Sequence, residues 1–334
     1  MPTSRVAGAT ATVLADGTVL VIGGAANDGT VTAAVDLYDP LPRAWQGAGT
    51  RAPMSTPRSS HTATLLADGR VLVTGGSTLS GSIAQGYTNN TSAEVYDPAH
   101  NTWSPAAPMQ VARAHHTATL LPDGKVLVTG GEDANYLPVA TAEVYDPVAN
   151  TWTATALPMA SARATQTATL LPNGQVLVAG GYDIVLGVLT PLAGAELYDP
   201  AQGSFAATGA LTAPHAGQSA ALLASGQVLV AAGGTGAAEL YEPSTGLWQA
   251  TPDLVSARSG QVAVLLPTAR VIVAGGTQAA PNAERYDVLA NTWTAAASMS
   301  INRVAPVAAL LPDGSALVCG GAADAGSTSC ETYW

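Results

Sequence analysis

The stretch Arg58-Ser59-Ser60-His61-Thr62-Ala63-Thr64-Leu65-Leu66-Ala67-Asp68-Gly69-Arg70-Val71-Leu72-Val73-Thr74-Gly75-Gly76 holds two short apolar runs, parted by Asp-Gly and closed by two glycines. Runs rich in Val, Thr and Leu read as strands, and Asp-Gly suits a tight hairpin because glycine accepts positive φ. Downstream lie Ala93-Glu94-Val95-Tyr96-Asp97-Pro98 and Asn101-Thr102-Trp103, two further strand-like segments with turn residues between them.

The same order recurs seven times. Glycine pairs fall at Gly23-Gly24, Gly75-Gly76, Gly130-Gly131, Gly180-Gly181, Gly233-Gly234, Gly275-Gly276 and Gly320-Gly321. Each is answered by a tyrosine: Tyr38, Tyr96, Tyr145, Tyr198, Tyr241, Tyr286 and Tyr333. Pair-to-pair spacing runs from 42 residues (Gly233 to Gly275) to 55 (Gly75 to Gly130), the sign of a repeat array. No segment keeps a 3.6-residue apolar period, so helices should be almost absent. Four short strands repeated seven times bury their faces by closing into a ring. The predicted fold is therefore all-β, a single domain forming a seven-bladed β-propeller. The blades cover about 5–52, 53–109, 110–159, 160–211, 212–254, 255–299 and 300–334. Trp45, Trp103, Trp152, Phe205, Trp248 and Trp293 occupy one aromatic slot on the outer strand. After Tyr333 only Trp334 follows, so the last blade is expected to have three strands, with Trp334 over its open edge.

Composition narrows the partners. A 47% hydrophobic content supplies a core, and no apolar run approaches the roughly 18 residues of a membrane span. A net charge of −11 with a single lysine, Lys125, argues against nucleic acid and anionic membranes. The start Met1-Pro2-Thr3-Ser4-Arg5 shows no leader, so a soluble monomer is expected, cytosolic or secreted after leader removal. Cys319 precedes the last glycine pair and Cys330 lies on the following strand. Two readings stand for them: a hairpin disulfide, which would favour an oxidising compartment, or two buried thiols.

The order of apolar strand, Gly-Gly, Glu-x-Tyr-Asp and Thr-Trp resembles the kelch repeat over essentially the whole chain. The wording Arg-x-x-His-Thr-Ala-Thr-Leu-Leu-x-Asp-Gly-x-Val-Leu-Val-x-Gly-Gly is most similar to bacterial kelch proteins and to the propeller of the galactose oxidase family. The resemblance implies a protein-binding disc, a sugar-acting enzyme or a copper oxidase; fold alone does not choose among them.

The start of each first strand and the loop after each glycine pair share one face. These loops are long in blades two, three and four (Ser77 to Ser92, Glu132 to Thr141, Tyr182 to Gly194), so binding groups should gather there. Candidate ligand-binding residues on that face are Arg58, Arg113, Arg163, Tyr87, Glu132, Asp133, Tyr136, Tyr182 and Asp183. The arginines belong to a ring with Arg5, Arg258 and Arg303, His215 standing in blade five. Such a ring could hold an anionic ligand through forked hydrogen bonds, and kelch propellers that bind acidic peptides use arginines there. The competing reading pairs each arginine with the acid two residues before its tyrosine: Asp36, Glu94, Glu143, Glu196, Glu239, Glu284 and Glu331.

Three residues past each arginine lies a second ring: Gly8, His61, His116, Gln166, Gln218, Gln261 and Pro306. In the galactose oxidase family the corresponding place holds copper-binding Tyr-His and Tyr-Gln pairs. By that resemblance His115-His116, with His61 of the neighbouring blade, could hold Cu, Fe or Zn, because neutral imidazoles ligate all three. No unit carries tyrosine before the second ring, so the radical-forming tyrosine has no counterpart. A polar linkage between blades is the other reading of this ring. No Gly-x-Ser-x-Gly elbow, His-Glu-x-x-His or phosphate loop is present. Two functions remain: a binding module for a protein or small polar ligand, or a metal-dependent oxidase- or lyase-like enzyme.

Overall fold

Six four-stranded antiparallel sheets and one three-stranded sheet follow one another along the chain, with a two-stranded hairpin inserted between the second and third strands of the second and fourth. The structure, a computed structural model, describes residues 1–47, 49–79, 86–276, 283–321 and 328–334. Among these residues there is no helix. Blade three shows the common plan: Thr117–Leu120, Val126–Thr129, Ala142–Asp146 and Thr151–Ala154 in simple meander order. First strands touch first strands around the ring, and Thr10–Val13 meets Val307–Leu310, which closes it. The fold is a seven-bladed β-propeller.

The second strands explain why the ring holds. Val71–Thr74, Val126–Thr129 and Val176–Ala179 are buried at every position, because sheets above and below cover both faces. Leu20, Ile22, Val71, Val73 and Tyr96, for example, form one apolar cluster between blades one and two. Six more clusters fill the remaining seams, including the closing seam of Val19, Val21, Leu311 and Leu317. Burying such side chains stabilises the fold by about 1.5–3 kcal/mol each. The core is thus distributed between blades, and no blade could bury its faces alone.

The glycine pairs let neighbouring blades meet backbone to backbone. Gly75 and Gly76 have φ of 61° and 90°. A Cβ on Gly76 would stand 2.6 Å from the Ser59 carbonyl oxygen. Gly76 N instead donates to Arg113 O of the next blade at 2.7 Å. Only glycine accepts both the angle and the approach.

The last blade has three strands, Val307–Leu310, Ala316–Cys319 and Cys330–Tyr333. Cys319 and Cys330 face each other across the second and third and form a disulfide. That decides between the two readings of the cysteines. Trp334 does not follow the expectation set for it: its ring lies 5.1 Å from the Arg43 guanidinium of blade one and stays 59% exposed.

Candidate functional site

Two of the three long loops carry a small sheet of their own. In blade two Ser77–Leu79 pairs with Tyr87–Asn89, and in blade four Tyr182–Val185 pairs with Val188–Pro191. Residues 80–85 of the blade-two loop lie outside the described residues. Isolated bridges Ser59–Ser77, Ala114–Glu132 and Ala164–Tyr182 tie each loop to the residues entering its first strand. The loops and the mouth of the central channel therefore share one face.

The arginine ring is scaffold. Arg58, Arg113 and Arg163 are 0–1% exposed and pair with Glu94, Glu143 and Glu196 at 2.8, 3.1 and 2.9 Å. Arg113 also donates to Gly130 O at 2.8 Å and to Thr141 O at 2.9 Å. Arg5–Asp36, Arg258–Glu284 and Arg303–Glu331 repeat the pairing, and His215 meets Glu239 at 3.2 Å. Burial lowers the Arg58, Arg113 and Arg163 pKa values and the partner carboxylates oppose it, as in a charge held for its neighbour. The expectation that these three arginines receive an anion meets guanidiniums already enclosed by their own blades.

The second ring is scaffold as well. His116 Nε2 lies 3.0 Å from Thr62 Oγ1 and 3.2 Å from Thr74 Oγ1, and His61 Nε2 lies 3.1 Å from Thr10 Oγ1. Each histidine thus reaches back to the preceding blade. Gln166, Gln218 and Gln261 do the same, donating to Thr129 O, Ala179 O and Ala231 O at 2.8, 2.7 and 3.0 Å. Blade one departs from the assumed spacing. Its first strand pairs Thr10 with Ile22 where blade two pairs Thr62 with Thr74, so Ala9, not Gly8, answers His61. One extra residue after Arg5 causes the slip.

At the channel mouth a chain of peptide hydrogen bonds runs from blade to blade. Ser60 N donates to Gly8 O, His115 N to Ser60 O and Thr165 N to His115 O, at 2.7, 3.0 and 3.1 Å. Ser60, His115 and Thr165 adopt φ of 54°, 55° and 53°, where L-residues are costly. His115 is exposed, unlike His61 and His116. Its Nδ1 faces Glu132 Oε2 at 3.4 Å, and Glu132 Oε1 accepts the Tyr182 hydroxyl. Burial alone would raise the Glu132 carboxyl; hydrogen bonds from His115 and Tyr182 outweigh it and hold its pKa below the usual range. Burial, then the hydrogen bond to Glu132, pushes the Tyr182 hydroxyl the other way. Three expected residues from blades three and four thus meet in one hydrogen-bonded line.

The three histidines do not converge. Among the described residues no group of three His, Cys, Asp or Glu side chains stands close enough to hold a metal ion. His61 and His116 are turned into the seams, and His115 alone faces the mouth. These residues do not fit a three-histidine centre for copper, iron or zinc.

The remaining candidates knit the loops together. Tyr87 Oη donates to Gly29 O of blade one at 2.6 Å, Tyr136 Oη donates to Tyr87 O, and Tyr182 continues the series onto blade three. Asp133 Oδ1 closes its own turn, accepting Asn135 N and Leu137 N at 2.8 and 3.1 Å. Asp183 Oδ1 accepts Ile184 N at 2.7 Å. Asn89, not anticipated, is buried and donates to Glu132 O and Asp133 O at 3.2 and 2.8 Å. Also not anticipated is the tip of the blade-four hairpin, where Val185, Leu186, Val188 and Leu189 are all exposed. In the sequence the run Ile184-Val185-Leu186-Gly187-Val188-Leu189 shows that the segment is apolar but not that it is exposed. Grooves on the opposite face lie among Asp-Gly and Asp-Pro turns whose carboxylates are occupied, as Asp68 Oδ1 is by Arg70 N and Asp97 Oδ1 by Ala99 N.

The sequence profile described as KLHDC2/KLHL20/DRC7 Kelch-repeats domain matches residues 1–183. No curated protein matches the chain. Among solved structures, a novel fungal alcohol oxidase with catalytic diversity among the AA5 family, in complex with copper, superposes with a TM-score of 0.78. Its identity is 21% over 100% of this chain and 75% of that one. The structure of YjhT superposes at 0.65, with 16% identity over 88% of this chain and 98% of that one. At such identities both are likenesses of fold.

Proposed function

The chain belongs to the kelch-repeat family, and from that premise we propose that it is a binding module recognising a protein on the loops of blades two to four. The observation that carries this reading is the blade-four hairpin. Leu186 and Gly187 form its two-residue turn, between paired Val185 and Val188, with φ of 52° and 80°. Leucine is costly at positive φ, and a 99% exposed leucine gains nothing from the surrounding fold. Leu186 stands among three other exposed apolar side chains, the kind of patch that marks an interaction surface. Below it, the tyrosine-to-loop hydrogen bonds hold blades one to four as one platform, with the His115 imidazole at its inner edge. Rigid support beneath an apolar tip limits the entropy lost on binding.

A photo-crosslinking residue at position 186 is expected to capture one discrete protein from native extract, with capture abolished by Val188→Asp. Leu41 is equally exposed on the opposite face and serves as the control position. Identical products from positions 186 and 41, or none from either, would sink the reading.

The metal-dependent alternative has its support in the copper-bound structural neighbour. It is weakened by the seam-facing His61 and His116. Protein purified without a histidine tag is expected to contain less than stoichiometric copper, iron and zinc by elemental analysis. One equivalent of metal retained through dialysis would restore the alternative.

A further inference from the structure

The loop face that carries the apolar tip is also one-sided in charge. Of the 12 lysines and arginines, six are the enclosed arginines paired with their own blade acids. Arg43, Arg70, Lys125 and Arg270 stand on the opposite face, among the Asp-Gly and Asp-Pro turns. There they meet Asp313, Asp68, Asp146 and Asp287 at 3.0, 2.6, 3.7 and 3.4 Å. Arg51 turns to Gln46 Oε1 at 3.0 Å, beside Tyr96, and Arg285 lies mid-strand in blade six. No lysine or arginine is left for the loops of blades one to four.

The acids of those loops keep their charge to themselves. Asp28, Asp133 and Asp183 form no ion pair among the described residues; they accept Thr30 N, Asn135 N and Ile184 N of their own turns at 2.9, 2.8 and 2.7 Å. Arg163 lies near enough for the Asp183 charge to raise its pKa, yet it is enclosed against Glu196. The hydroxyl series that braces the loops also strings these acids together. Tyr87 reaches Gly29, next to Asp28, and Tyr136 reaches Tyr87; Tyr182, next to Asp183, reaches Glu132, next to Asp133. Asp183 then ties the series to the tip, three residues or about 10 Å of chain from Leu186. The one basic group on this platform, His115, faces Glu132 at 3.4 Å.

We propose that the partner of the loop face is a polypeptide segment with lysines or arginines beside an apolar run, its apolar side chains covering Leu186 and its cations meeting Asp183 and Asp133. This rests on reading the blade-four hairpin as the contact, and it names the chemistry of what binds there. An apolar tip alone attaches to any apolar surface. A field of one sign around it steers cationic partners in and repels anionic ones, so the charge supplies the choice. A second copy of the chain brings the same loops and a net charge of −11, and is disfavoured on that ground. The opposite face, where both signs interleave, offers no such field.

The probe is the fluorescent peptide Leu-Val-Leu-Ser-Ser-Lys-Ser-Lys, titrated against the whole protein beside a counterpart with glutamate for both lysines. Saturable anisotropy is expected for the lysine peptide, weakening several-fold as salt rises from roughly 50 to 300 mM. The glutamate peptide should bind about tenfold more weakly or worse. Asp133→Asn/Asp183→Asn, which keeps the turn hydrogen bonds, should weaken the lysine peptide by about tenfold. Asp16→Asn/Asp199→Asn makes the same charge change in turns of the opposite face and should alter binding less than about twofold. Equal effects of the two aspartate pairs overturn the proposal, as does equal affinity for the two peptides or no saturable binding of either. A photo-crosslinker at position 186 that takes both peptides equally overturns it while keeping the hairpin as the contact. Binding of the lysine peptide that is unchanged by Leu186→Ser, with no capture at 186, sinks the hairpin reading and the proposal with it. Binding to neutral phosphatidylcholine vesicles in place of the peptide overturns it in favour of a lipid surface.

Discussion

Arg113→Met is expected to destabilise the protein by about 3–5 kcal/mol, read as a lower urea midpoint, although no loop residue is altered. Arg113 is fully enclosed, pairs with Glu143 at 3.1 Å and holds the carbonyls of Gly130 and Thr141. Glu143 in turn accepts Gln110 N at 2.7 Å and Val111 N at 3.1 Å, where the chain crosses over from blade two. One ion pair therefore joins the entry to the first strand, the end of the second, the start of the third and the inter-blade crossover. Methionine fills much of the arginine volume but leaves Glu143 buried without its cation, and that unpaired charge is the main cost. The contrast is Arg43→Met. Arg43 meets Asp313 at 3.0 Å on the surface, 48% and 33% exposed, and its loss should cost less than about 1 kcal/mol. An Arg113→Met protein as stable as wild type would show the ring to be available for ligands after all.

The arginine ring shows what could be read in advance and what could not. An acid two residues before every tyrosine sits at a fixed place in the repeat, so pairing with the arginine follows from strand direction alone. The ring closure follows likewise from glycine pairs, tyrosines and tryptophans at recurring offsets. A repeat gives position along a strand, however, and not the seam into which a side chain turns. The repeat puts His61 and His116 at the second ring, yet their reach to Thr10, Thr62 and Thr74 depends on the neighbouring blade. The extra residue in blade one, which moves Ala9 into the ring, shows only in the pairing of Thr10 with Ile22. Tyr87, Tyr136 and Tyr182 read in the sequence as candidate ligand-binding residues of the long loops. Their hydroxyls end on the preceding loop, a contact about 50 residues back in the chain that no local pattern encodes. The hairpin tip was hidden for the opposite reason. An apolar run such as Ile184–Leu189 ordinarily reads as a buried strand, and nothing local marks it as exposed.

The double substitution His61→Gln/His116→Gln is expected to remove more than about 2 kcal/mol of acid sensitivity between pH 7 and pH 5 while leaving stability at pH 7 within about 1 kcal/mol of wild type. Burial, with Arg58 and Arg5 nearby, lowers the His61 pKa from 6.5 to about 3. Burial, followed by Arg113 and the other nearby charges, holds His116 well below its ordinary value. Each imidazole has a buried Nδ1 with no partner among the described residues, so a proton placed there would be an unanswered donor. The unfolded chain takes up these protons below about pH 6.5, and folded His61 refuses its proton until pH 3. Stability is therefore whole above pH 6.5 and falls as the solution is acidified toward pH 3. At pH 5 His61 has withdrawn about 2 kcal/mol, and His116 adds a loss of the same sign, before most unfolded carboxylates begin to titrate. Glutamine removes the titration and keeps the seam. Gln166, Gln218 and Gln261 already span the same seam in blades four, five and six by donating to backbone carbonyls of the preceding blade, so a glutamine at 61 or 116 meets a seam of similar design. Urea unfolding of both proteins at the two pH values decides the matter. Equal acid losses would mean that the buried imidazoles are protonated in the folded state. A loss of several kcal/mol at pH 7 would mean that histidine does something glutamine cannot, and the metal reading would then regain its strongest residues. Preserved stability at pH 7 identifies the pair as spacers between blades and leaves His115, braced by Glu132 and Tyr182, as the only imidazole of the three that faces the channel mouth.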